Sequence, residues 1–66
     1  MKAKQFLQRL RAAGVEIDES RGKGGHVLAR HKGRWTTVPV HGSADLGPNF
    51  LKKICKQLGL DPTEVL

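Results

Sequence analysis

The 66-residue chain has no tyrosine, one tryptophan, two phenylalanines and one cysteine. A lone Cys55 cannot close an intramolecular disulfide, so the sequence reads as a protein of a reducing compartment rather than a stapled secreted scaffold. No apolar run approaches the ~18 residues of a membrane span. The opening MKAKQFLQRLRAAG interleaves basic and apolar side chains too closely for the apolar stretch of a secretory signal. The expected location is the cytoplasm, with no membrane partner. Acidic residues are scarce as well: six Asp and Glu stand against 12 Lys and Arg, a net charge of +6 with neutral histidines. A basic excess in a small protein favours nucleic acid or another acidic partner.

Residues 1–66 are expected to make a single domain, because a chain of this size buries only about 60% of its unfolded surface. Little interior remains for a deep pocket or a large cofactor, and no cofactor is expected. An active site would have to sit on the surface or in a shallow groove.

Lys2 to Ala13 reads as a helix, with Ala3, Phe6, Leu7, Leu10 and Ala13 on one side and Gly14 as its C-terminal cap. Val15 to Ser20 alternates like a short strand. His26 to His31 and Arg34 to Val40 read as two further strands joined through Lys32-Gly33, although Lys is not the usual first residue of such a turn. Pro39 cannot donate to a ladder, which assigns it to an edge or to the end of its strand. Pro48 opens a second helix whose apolar stripe is Leu51, Ile54, Cys55 and Leu58 and whose end is Gly59. Asp61-Pro62-Thr63-Glu64 has the form of another helix start, cut short. The order α-β-β-β-α predicts an α+β domain, a three-stranded antiparallel sheet with two helices on one face, of double-stranded-RNA-binding-like shape. Val27 and Ala29 point one way and Leu28 the other, so periodicity leaves the core face of the second strand open.

The densest chemistry lies in RGKGGHVLARHKG, Arg21 to Gly33. Gly24 and Gly25 let a backbone approach a phosphate closely, and Lys23 can neutralise its charge. His26 follows at once, and a histidine can take or give a proton near neutral pH. RNA cleavage needs both operations, on the 2′-OH and on the leaving 5′-oxygen. From these residues alone a turn and a polar side chain at a strand start is the better reading, because a lone histidine after glycines is a weak signal and the segment lacks the spacing of a Walker A loop. No metal site is expected: His26 and His31 fall on opposite strand faces, His41 is remote, and no pair has a zinc-ligand spacing. Cys55 sits on the core stripe and reads as a small hydrophobe. Trp35 is suited to stacking on a base or to covering the core. Lys52, Lys53 and Lys56 form either a solvated helix face or part of a phosphate-tracking patch.

Gly22 to Gly42, GKGGHVLARHKGRWTTVPVHG, together with Asp45 to Leu60, DLGPNFLKKICKQLGL, resembles the HicA family of mRNA interferase toxins. The likeness covers nearly the whole chain. It is strongest in Gly24-Gly25-His26, in Thr37 to Gly42 and in the Leu46-Gly47-Pro48 helix opening. It implies a double-stranded-RNA-binding-like fold and a small ribonuclease of a type II toxin–antitoxin system. Such an enzyme cuts mRNA without the ribosome and is held inactive by a HicB-type antitoxin. The family's functional histidine lies in a G-S-H motif and matches His26, which makes His26 the expected catalytic residue. The sequence departs from the family in having Gly25 where a serine is usual and Val15 where tryptophan is frequent.

On this reading Arg21, Lys23, Gly24, Gly25, Arg30 and Arg34 hold the RNA, and His26 transfers a proton. His41, Lys23 or water would supply the second transfer. A non-catalytic RNA-binding module of the same fold is the alternative, with His26 a contact only.

Overall fold

The computed structural model describes residues 1–20, 24–40 and 45–66. Helix α1 spans Ala3–Ala12, strand β1 Glu16–Asp18, β2 His26–His31 and β3 Arg34–Pro39; helix α2 spans Pro48–Gln57 and the short α3 Pro62–Val65. The strands form one antiparallel sheet in the order β1-β2-β3, so β3 is an edge. Pro39 is its last residue, where its missing N–H interrupts no inner ladder. The ladder continues one step further, because the Val40 N–H donates to the Gly25 carbonyl at 2.6 Å.

Both long helices end in the same way. After α1 the Val15 N–H bonds the Leu10 carbonyl and the Gly14 N–H that of Arg11, with Gly14 at φ 90°. After α2 the Leu60 N–H bonds the Cys55 carbonyl and the Gly59 N–H that of Lys56, with Gly59 at φ 73°. These are Schellman motifs, which need a left-handed residue just past the helix and satisfy carbonyls that the last turn leaves unpaired. Buried Val15 and Leu10 supply the apolar contact that accompanies the first of them. Val15 is thus part of the cap, and β1 is shorter than the alternation of Val15 to Ser20 suggests. Its far end is set by Asp18, whose carboxylate accepts from the Ser20 N–H and hydroxyl and turns the chain.

Helix α1 packs along β1 and α2 along β3. Phe6, Leu7 and Leu10 from α1, Leu51, Ile54, Cys55 and Leu58 from around α2, and Val27, Ala29 and Val38 from the sheet belong to one buried cluster. Val27 and Ala29 therefore define the core face of β2, and both helices cover that face. Leu28 lies half-exposed on the other side. Burial pushes the Cys55 thiol above its ordinary value, as for a thiol among hydrocarbon. The chain start is tied to the approach to α2: Met1 accepts from the Leu46 N–H at 2.8 Å, and its ammonium pairs with Asp45 at 2.9 Å. At the other end the Asp61 carboxylate accepts from the Thr63 N–H and hydroxyl and caps α3. Among the described residues, no helix is long and apolar enough to cross a membrane.

Candidate nucleic-acid interface

The hairpin turn sets the two ends of the sheet apart. Lys32 and Gly33 both have positive φ, 48° and 81°, and His31 pairs with Arg34. Positive φ at both central residues is the mark of a type I′ turn, whose twist matches that of the strands. Lys32 occupies it despite its Cβ.

At the opposite end β2 begins with His26, which pairs across the ladder with Pro39. Gly24 and Gly25 precede it at φ 56° and 84°. A side chain at either position would be held in the left-handed region, at a cost of roughly 1–2 kcal/mol. Glycine at both positions spares the backbone entering β2 that strain. His26 is exposed. It forms the wall of a groove of about 290 Å³ with Thr37 and Pro39 from the sheet and Phe50, Lys53 and Gln57 from α2.

A larger depression, about 670 Å³, lies at the hairpin end and includes Arg30, Lys32, Arg34 and Trp35. Size alone does not make it the better reaction site, because one of its cations is already paired. Arg30 donates to the Glu16 carboxylate at 2.6 Å. The Arg34 side chain lies against Gly59, such that a Cβ there would stand 3.2 Å from its Cδ and Nε. His31 also belongs to this end, with Nδ1 2.8 Å from the Leu58 carbonyl oxygen.

The structure thus brings Gly24, Gly25 and His26 together and puts Arg30 and Arg34 elsewhere. Arg30 lies four residues along the strand from His26, about 13 Å of extended chain. Arg21, Lys23 and His41 lie outside the described residues. Trp35 is 66% exposed and stands opposite Arg30 on the uncovered face, so it does not cover the core. Lys52, Lys53 and Lys56 are all exposed on α2. Phe50, Thr37 and Gln57 were not legible as neighbours of His26. Phe50, 40% exposed, was the available signal: an aromatic one position off the buried stripe of an otherwise polar helix face. Among the described residues no three His, Cys, Asp or Glu side chains gather as a metal site.

A small basic α+β domain of double-stranded-RNA-binding-like architecture, with a histidine in a shallow groove, is the class that fold and site define. Residues 3–60 match the family described as the HicA toxin of bacterial toxin–antitoxin. A Pseudomonas fluorescens protein named "Probable mRNA interferase HicA" is 42% identical over 60 residues, 91% of this chain and 97% of the relative. A Photorhabdus laumondii protein named "Probable mRNA interferase HicA 1" is 35% identical over 60 residues, 91% of this chain and all of the relative. The chain belongs to the HicA toxin family.

Proposed function

We propose that residues 1–66 act as one toxin domain, a cytoplasmic endoribonuclease that cleaves mRNA without the ribosome or a metal ion. The observation that carries this reading is His26, exposed in a groove directly after two glycines in a family whose curated relatives are named mRNA interferases.

Gly24 and Gly25 let the backbone approach the scissile phosphate. His26 removes the 2′-OH proton, or delivers a proton to the leaving 5′-oxygen. The 2′-oxygen forms a bond to phosphorus as the bond from phosphorus to the 5′-oxygen breaks. The products are a 2′,3′-cyclic phosphate and a 5′-hydroxyl, with one proton taken up and one given back. His41, Lys23 or water supplies the second transfer. Arg21 and Lys23 neutralise phosphates of the bound RNA. Arg30, after leaving Glu16, and Arg34 take phosphates further along the strand.

The partner that silences the protein is a HicB-type antitoxin carrying carboxylates to this basic surface, which gives fast, salt-sensitive association. The test is to incubate the purified protein with labelled unstructured RNA in EDTA. Shortened RNA supports the reading. RNA that is bound but stays intact would replace it with a non-catalytic binding module, and cleavage only after a metal is added back would overturn metal independence.

A further inference from the structure

The groove beside His26 has more structure than proton transfer requires. Phe50 gives it an aromatic wall and is partly open to solvent. The Thr36 hydroxyl donates to Gln57 Oε1 at 2.7 Å, which commits that oxygen and leaves the amide hydrogens of Nε2 for another acceptor. The Thr37 hydroxyl can donate or accept. Lys53 brings an ammonium group, and no acidic side chain lines the groove among the described residues. At about 290 Å³ it stands at the small end of ligand pockets, the scale of one nucleotide rather than of a helix or a duplex.

Resting on the function proposed above, we infer that this groove is a nucleobase subsite for single-stranded RNA. The base next to the scissile phosphate stacks on Phe50, its polar edge meets the Gln57 amide and the Thr37 hydroxyl, and its phosphate meets Lys53. A flat aromatic wall suits any base, because every base presents a π face. The oriented amide adds preference by donating to a base acceptor. The groove's lining argues for nucleic acid over a protein side chain: among the described residues it offers the Lys53 ammonium and neutral donors and no carboxylate. An unpaired base is required, since an edge-strand groove of this size admits a ring that has left its stack and not a base pair.

The test uses binding, so that it does not depend on cleavage. Fluorescence anisotropy would measure the affinity of a labelled unstructured RNA decamer for His26→Ala protein, with and without Phe50→Ala, both checked by circular dichroism. A matched set of decamers would each lack one base. Base–aromatic stacking is worth enough that Phe50→Ala is expected to weaken binding about ten- to a hundredfold. Removing one particular base should cost the His26→Ala protein a similar factor and cost the Phe50→Ala double variant almost nothing. Phe50→Trp should restore the affinity. Equal affinities with and without Phe50, or equal sensitivity of both proteins to every missing base, would overturn the subsite and favour a protein side chain as the occupant. Absence of RNA binding by every protein would overturn it too. A parent that cleaves RNA while binding ignores Phe50 would remove the subsite and keep the nuclease. Phe50-dependent binding by a parent that never cleaves would do the reverse.

Discussion

The Nδ1 atom of His31 lies 2.8 Å from the carbonyl oxygen of Leu58, joining the tip of the β2–β3 hairpin to the C-terminus of α2. A carbonyl only accepts, so Nδ1 carries the hydrogen. The bond gives the last turn of α2 a donor where its own carbonyls lack one. Arg34, paired with His31 across the hairpin, adds a cation over Gly59 at the same helix end, where the helix dipole is negative. His31→Ala should cost about 1 kcal/mol. In a domain of this size that lowers the melting temperature by roughly 4–8 °C. Nitrogen NMR of the histidine rings should show the hydrogen on Nδ1 of His31. An unchanged melting temperature or a bare Nδ1 would remove this tie.

Lys32 sits at φ 48°, where only glycine is free of strain and asparagine is tolerated. Lys32→Asn should stabilise the protein by about 0.5–1 kcal/mol, part of the cost of a left-handed residue. Thermal unfolding should shift upward by a few degrees. A lower melting temperature would mean that the lysine side chain contributes more than its backbone costs.

The Asp61 carboxyl is held below the ordinary carboxylate range by hydrogen bonds from the Thr63 N–H and hydroxyl. Asp45 is held below it by the N-terminal ammonium beside it and by Lys2. A carboxyl that is more acidic when folded adds stability above its unfolded value, about pH 4, and loses it as pH falls through the lower folded value. Stability should therefore decline below about pH 4. Asparagine also caps helices but does not titrate, so Asp61→Asn should flatten part of that decline. Melting curves from pH 2 to 6 check this, and parallel curves for parent and variant would refute the role of Asp61.

Much of this fold was legible because its punctuation is unambiguous. Gly14 and Gly59 stop helices that only a left-handed residue can close, and Pro48 starts one. His26 to His31 was legible as a strand, but its face was not: Val27, Leu28 and Ala29 are all apolar, and only the placement of the helices decides between them. Trp35 was undecided for the same reason. The candidate site was legible at its histidine and glycines, which are consecutive. It was not legible beyond them, because nearness in sequence is a poor guide along a strand. Arg30 and Arg34 are close to His26 in sequence, yet the extended strands carry them to the other end of the sheet. Phe50, Lys53 and Gln57 are distant in sequence and meet His26 because α2 packs along β3.

Proton transfer on RNA is the role proposed for His26. Its most direct test is the initial rate of RNA cleavage in EDTA by the parent and by His26→Ala at equal concentration, with circular dichroism to show that both are folded. General acid–base catalysis by one residue contributes about 10²–10⁴-fold. A loss of that size is expected for His26→Ala with its fold unchanged. A folded His26→Ala protein that cleaves at the parent's rate would contradict it.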